Sequence, residues 1–323
     1  MPLPSAGSGF ADLEHHRVEL MAYCYRMLGS PFDAEDAVQD AFEHAWKSRN
    51  RFGGRSAMRM WLYRIATNVC LDVLRGRRRR LRPMDLGPAR DPVADNLHVL
   101  PGSTWIEPIP TDPLSSEDDP ADIAVERESV RLAFVAALQR LPARQRAVLI
   151  LREVVGLRAS EAADVLDMSV ASVNSALQRA RASLTTGSVR ESHRIVPLSL
   201  ADRMLLNRYV SAFERYDMAA LTALIREDAT QSMPPFDIWL EGRAHILEWW
   251  AGPGKECRGS RLISTLSANG APAFAQYKPS PTGGYEPWAL QVLELEGGRI
   301  VEFTFFLDAA RIFPLFGAPL TLS

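Results

Sequence analysis

An almost pure arginine run, Arg75 to Arg80 with only Gly76 interrupting, leads into Leu81, Arg82 and Pro83 and then into a stretch rich in proline, aspartate and glycine. That stretch runs to about Ile123 and holds Asp85, Asp91, Asp95, Glu107, Asp112, Glu117, Asp118, Asp119 and Asp122. Its composition predicts an acidic linker over residues 83–123 rather than a packed element. A chain interrupted in this way folds as several units, and 323 residues are more than one compact core normally serves.

On either side of the break, apolar residues recur at helical spacing. Val38, Ala41, Phe42, Ala45 and Trp46, then Trp61, Leu62, Ile65, Val69 and Leu71, predict packed helices over residues 10–82. Leu132, Val135, Leu138, Leu141, Val148, Leu149, Leu151, Val165, Leu166, Val173 and Leu177 predict a second helical unit over 124–186. Beyond Gly187 the pattern changes. An amphipathic helix over Leu200–Ile225 is followed by strand-like runs at Arg261–Ser267, Trp288–Leu295 and Ile300–Leu307, and Gly297-Gly298 marks a hairpin turn. Residues 198–320 therefore read as a third, α+β unit.

The first residues, MPLPSAGSGF, have neither a basic start nor an apolar stretch, and no apolar run is long enough to span a bilayer, so a cytoplasmic protein without membrane contact is expected. Cys24, Cys70 and Cys257 are far apart and lack metal-ligand spacing, which predicts free thiols and neither a metal site nor a cofactor. The net charge of −2 averages a basic first block against the acidic linker, so it does not exclude nucleic acid.

Ser160–Leu166, the turn Asp167-Met168-Ser169 and Val170–Arg181 have the proportions of a helix-turn-helix. Val173, Leu177 and Ala180 face inward at helical spacing and leave Ser172, Asn174, Ser175, Gln178, Arg179 and Arg181 outside, all types that bond base edges or phosphates. Ser169 is placed to cap the second helix. In the first block, Asp36, Asp40 and Glu43 share a helix face opposite Val38, Phe42 and Trp46, an acidic surface suited to a basic protein partner. Arg51 to Arg55, with Phe52, and the segment carrying Arg59, Trp61, Tyr63, Arg64 and Asn68 interleave cations with aromatics ahead of Arg75, Arg77 and Arg78. Rings stack on separated bases while arginines neutralise phosphates, so this suits single-stranded DNA.

DAEDAVQDAFEHAW (Asp33–Trp46), WLYRIATNVCLDVLRGRRRR (Trp61–Arg80) and LPARQRAVLILREVVGL with SEAADVLDMSVASVNSALQRARASL (Leu141–Leu184) together closely resemble an extracytoplasmic-function sigma factor of RNA polymerase. The resemblance implies that the face carrying Asp36, Gln39, Asp40 and Glu43 docks on the clamp helices of the largest polymerase subunit. It also implies that the Phe52 to Asn68 region and the arginine run hold the melted −10 element, and that the helix from Val170 reads the −35 element. Many relatives carry a lysine and an arginine where this chain has Asn174 and Ala176, which implies fewer phosphate contacts there.

The third unit, through its long helix, FDIWLEGRAHILEWW (Phe236–Trp250) and IVEFTFFLDAARI (Ile300–Ile312), resembles the SnoaL-like, ketosteroid-isomerase-like cone fold, and Trp105-Ile106-Glu107-Pro108 resembles the linker of sigma factors that carry it. The whole is then two all-α domains plus an α+β cone with an apolar pocket, for which Trp239, His245, Trp249 and Phe305 are the expected lining. As an enzyme this domain would draw on Asp237, Glu241, His245 and Asp308; as a regulator it would act on the DNA-binding units, with a small apolar ligand as effector. Regulation without catalysis explains a fused transcription unit better. A ligand-responsive helix-turn-helix repressor is the alternative for the whole chain.

Overall fold

The computed structural model describes residues 13–48, 58–95, 97–111, 130–186 and 198–322. The first helix, α1 (Arg17–Leu28), ends where Gly29 enters the left-handed region at φ +73° and donates its N–H to the Tyr25 carbonyl at 2.7 Å. Glycine takes that backbone angle without strain. Ser30 Oγ then accepts from the Asp33 N–H at 3.3 Å, and Pro31 opens helix α2 (Pro31–Ser48), where a missing N–H costs nothing. Helix α3 (Met58–Leu74) packs on both. Tyr23 and Thr67 share a hydrogen bond of 2.7 Å between α1 and α3, and the Tyr23 and Tyr63 rings meet edge to face at 5.2 Å. Leu20, Met27, Phe42 and Leu62 fill the remaining core, each contributing about 1.5–3 kcal/mol on burial.

After the linker the chain forms α4 (Leu132–Gln139), α5 (Ala143–Leu149) running into a π-turn over Ile150–Val154, α6 (Ala159–Leu166) and α7 (Val170–Thr186). Asp167 takes φ +52° to turn the chain out of α6, and Ser169 Oγ accepts from the Ser172 N–H at 3.1 Å to start α7. The turn is the one expected from sequence.

The two helical blocks form a single unit, because α1 and α3 pack against α4, α5 and α6. A buried guanidinium joins them. Arg146 of α5 donates to the Met27 carbonyl at the end of α1, to the Gln139 side-chain oxygen at 2.6 Å, and to the Gln139 and Leu141 carbonyls at 3.1 and 3.2 Å. Gln139 in turn donates to the Arg26 carbonyl at 3.2 Å. Burial pulls the Arg146 guanidinium down to about 10, still charged at neutral pH, so a cation is held at the negative end of the α1 dipole.

The second unit comprises residues 81–111 and 198–322 among those described. Ser199 and Asp202 form a capping box that starts α8 (Leu200–Glu214), and the chain turns at Tyr216, φ +56°, into α9 (Met218–Leu224), capped by Asp217. The sequence suggests one helix to Ile225; the structure breaks it at Tyr216, whose hydroxyl donates to the Trp250 and Gly254 carbonyls at 2.6 and 3.0 Å. Six strands follow, β1 (Ile225–Ser232), β2 (Trp239–Glu241), β3 (Arg261–Ser264), β4 (Ala273–Pro279), β5 (Tyr285–Glu296) and β6 (Arg299–Phe306), in the order β2-β1-β6-β5-β4-β3. β1 and β6 run parallel; the other pairs are antiparallel. Gly297 and Gly298, at φ +56° and +72°, make the tight β5–β6 turn expected of that pair. Helix α10 (Arg243–Ala251) follows β2, α11 (Ala309–Ile312) follows β6, and Tyr209, Phe213, Trp250 and Phe303 interlock at the core.

The stretch that reads as a linker is structured over residues 81–111 and is part of this second unit. Asn269 and Ile109 exchange hydrogen bonds of 2.9 and 3.0 Å, Arg90 pairs with Asp237 at 2.7 Å, and the Trp239 indole donates to the Gly87 carbonyl at 2.9 Å. Trp105, Ile106 and Ile109 are buried, and Glu107 pairs with Arg311 at 2.5 Å. The acidic composition points to solvent; three apolar side chains and a paired carboxylate are enough to bury the strand-like part of it.

Candidate nucleic-acid interface and C-terminal cavity

Helix α2 is two-faced. Ala34, Ala37, Val38, Ala41, Phe42 and Ala45 are buried, which leaves Asp36, Gln39, Asp40 and Glu43 exposed on a single acidic face. Asp33, nearer the helix start, is committed elsewhere. Burial alone would raise its carboxyl, but the Arg80 and Arg77 guanidiniums, at 2.7 and 3.0 Å, hold it below the usual carboxylate range.

The arginine run is therefore divided. Arg75 pairs with Asp72 at 2.9 Å, Arg77 and Arg80 hold Asp33, and Arg80 is buried. Arg78 and Arg79 are exposed and make no ion pair among the described residues; Arg79 was not among the expected DNA contacts. On α3, Arg64 and Asn68 are exposed and Trp61 is half-buried. Arg59 pairs with Glu19 at 2.7 Å and lies over the Tyr63 ring at 5.3 Å. Tyr63 corrects an expectation: it is 2% exposed, donates to Glu19 at 3.3 Å and has its hydroxyl pushed up by burial, so its ring packs in the core and is not open to a base. Phe52, with the rest of the 51–55 segment, lies outside the described residues.

On α7 the burial alternates at helical period. Val173, Ala176, Leu177 and Ala180 are buried against α5 and α6, while Ser172, Asn174, Ser175, Gln178, Arg179 and Arg181 are exposed. Arg181 pairs with Glu153 at 2.6 Å. Ala176 is core, so a cation at that position would be buried here and not reach a phosphate.

In the second unit, a cavity of about 650 Å3 opens between the segment Val99–Glu107 and one end of the sheet, at Pro234, Phe236, Trp288 and Leu307. That is within the range of about 300–1,000 Å3 usual for ligand sites. A smaller cavity of about 100 Å3 shares Phe236, Trp288 and Leu307 with it and is lined by Phe213, Trp249 and Phe305. Trp249 and Phe305 of the expected pocket residues thus meet at one cavity, whereas Trp239 and His245 line neither. Trp239 is turned to Gly87, and His245 Nδ1 bonds the Glu241 carbonyl at 2.9 Å. The acids considered for catalysis do not converge: Asp237 is held by Arg90 and the His98 N–H, Glu241 is exposed, and Asp308 stands at the mouth of the larger cavity.

Two polar side chains of the smaller cavity were missed from sequence. Lys278 is 12% exposed with its Nζ 3.5 Å from the centre of the Trp288 ring. Gln231 is 1% exposed, accepts from the Trp250 indole at 2.8 Å and turns its NH2 toward the Met233 sulfur at 3.6 Å. A strand residue such as Gln231 carries no local mark of facing a cavity, because the curvature of the sheet decides it.

Residues 13–80 match Sigma-70 region 2, residues 131–184 match Sigma-70, region 4, and residues 206–303 match the SnoaL-like domain. The chain is 44% identical over 317 residues to the ECF RNA polymerase sigma factor SigG of Mycobacterium tuberculosis, spanning 97% of this chain and 84% of that one. It is 29% identical over 177 residues to the ECF RNA polymerase sigma factor SigW of Bacillus subtilis, 54% of this chain and 86% of that one. The solved structure of Mycobacterium tuberculosis extracytoplasmic function sigma factor SigJ has the same fold, with a TM-score of 0.61 at 19% identity over 96% of this chain and 99% of that one.

Proposed function

The chain belongs to the extracytoplasmic-function sigma factors of RNA polymerase, and from that premise we propose that it docks core polymerase through the acidic face of α2, reads the −35 element with α7, holds the opened −10 strand with α3 and the arginine run, and is regulated by its third domain. One observation carries the reading: the hydrogen-bonding and charged residues of α2 and α7 that it needs are all exposed, while the apolar residues between them are buried. Arg59, Arg64, Asn68, Arg75, Arg77 and Arg78 of the −10 set are exposed, with half-buried Trp61 and the exposed Arg79, outside that set, beside them.

The regulatory part rests on where residues 81–111 are held. Elements about 25 base pairs apart lie about 85 Å apart along B-DNA. Released, these thirty-one residues would add up to about 100 Å of reach to the tether between the two helical blocks. Held on the third domain through Asn269, Asp237 and Arg311, they are not free to extend. A domain that grips or releases this segment thereby sets how readily α3 and α7 can occupy the two elements together. Catalysis by the third domain is disfavoured by the scatter of its candidate acids. The chain is a transcription factor whose partners are core polymerase and promoter DNA, acting where polymerase acts, in the cytoplasm.

Permanganate reactivity of unpaired thymines on promoter fragments, with core polymerase with and without this protein, tests the reading. Melting near −10 that depends on the protein and is lost in Asp36→Lys/Asp40→Lys is the expected result. Tight binding to intact duplex with no melting would replace it with the repressor reading.

A further inference from the structure

We infer that the paired cavities of the third domain form a binding site for an apolar carboxylic acid, whose head lies between Lys278 and Gln231 and whose body runs along the aromatic wall toward the segment Val99–Glu107. The walls supply the apolar half of the argument. Phe213, Trp249, Trp288 and Phe305 present rings to the smaller cavity, and Leu100, Phe236 and Leu307 continue the apolar surface into the larger one. Such surface rewards a hydrocarbon or aromatic body at about 25 cal/mol per Å2 removed from water.

Donors supply the other half. The Lys278 ammonium is almost withdrawn from solvent, and its one ion-pair partner among the described residues is Glu256, which also lines the smaller cavity but at 3.6 Å and 76% exposed leaves the ammonium only loosely paired. The Gln231 amide is fixed in orientation, because its oxygen accepts from the Trp250 indole, so its NH2 is the group left over. Among the described residues the acceptor of that NH2 is the Met233 thioether at 3.6 Å, a weak acceptor at a long distance. A buried donor without a good acceptor costs free energy that an incoming oxygen would recover. A cation and an amide N–H on one small cavity call for an anion with two acceptor atoms, and a carboxylate meets both. An alcohol oxygen is neutral and gains no ion pair with the ammonium, and a cationic head would be repelled by it.

The larger cavity gives the site its consequence. Val99, Leu100, Pro101, Gly102, Trp105 and Glu107 form one of its walls, so a bound body touches the segment that tethers the helical blocks. That coupling rests on the regulatory reading above; the binding site itself does not.

The test uses the full chain and 11-(dansylamino)undecanoic acid as fluorescent probe, displaced below their micellar concentrations by dodecanoate, dodecan-1-ol and dodecyltrimethylammonium. Dodecanoate is expected to compete about tenfold or more better than the other two, and Lys278→Met to remove that preference while leaving dodecan-1-ol unchanged. Lys278→Arg, which keeps the charge, should retain it. Equal competition by acid and alcohol on the unmodified chain, or no displaceable binding of the probe, overturns the site whatever the variants do. Amide exchange over residues 99–106 with and without dodecanoate reads the coupling separately: slower exchange is expected. Binding with unchanged exchange there removes the regulatory use of the site, while failure of binding leaves regulation by some other means standing.

Discussion

Asp33 and Arg146 are charged residues that tie separate segments of the helical unit together. The Asp33 carboxyl is held below its unfolded value of about 3.9, so the stability it contributes is complete above that pH and is lost as pH falls through the lower, folded value. The advantage of the unmodified chain over Asp33→Asn in thermal unfolding should therefore be constant from neutral pH to about 5 and shrink below about 4; an advantage still undiminished at pH 2 would show that the Arg77 and Arg80 pairs are not its source. Arg146→Met should loosen the packing of α5 on α1 by about 3–5 kcal/mol, because the Met27, Gln139 and Leu141 carbonyls lose a buried donor together. Chemical denaturation of the full chain reads this, and a loss under about 1 kcal/mol would mean water replaces the guanidinium. Neither role is legible in the sequence. What distinguishes Asp33 and Arg146 from the charged residues around them is a partner 47 residues away for the first and 119 for the second.

At the scale of elements, α7 was the most legible part of the chain. Its period places Val173, Leu177 and Ala180 inside and the polar set outside, and the structure agrees residue by residue. What the period did not disclose is Ala176, read as a lost phosphate contact and found in the core. Ala176→Lys should accordingly destabilise the helix-turn-helix, measured by a lower melting temperature, without strengthening binding to duplex DNA. Gln178→Ala or Arg179→Ala should instead weaken promoter binding by about 1–3 kcal/mol with no change in stability, as expected of exposed groups that touch bases or phosphates. In α3 the alternation of cations and aromatics is equally visible, but it does not separate Tyr63, sealed in the core, from Trp61 beside it. About half a turn around the helix axis separates the two side chains, and which of them meets solvent is fixed by packing on α1.

For the molecule as a whole, the third domain and residues 81–111 act as one body. Truncation after Thr186 should leave that segment without Asn269, Asp237, Ser267 and Arg311 to hold it. Limited proteolysis is then expected to cut within 81–111, which the full chain protects, and basal transcription to rise as the tether lengthens. Unchanged transcription would end the regulatory reading. The sequence by itself determined the order of the parts, the helix-turn-helix, the acidic face of α2, the hairpin at Gly297-Gly298 and the change from all-helical to α+β character beyond residue 187. Each of these is written in local periodicity, caps and turns, where the relevant neighbours are a few residues apart. Only the tertiary structure decided that the two helical blocks close on Arg146, that the acidic stretch is a wall of the third domain, and that Gln231 and Lys278 face one cavity. Those outcomes depend on which surfaces meet after residues tens to hundreds of positions apart have been brought together, and a spacing along the chain does not encode that meeting.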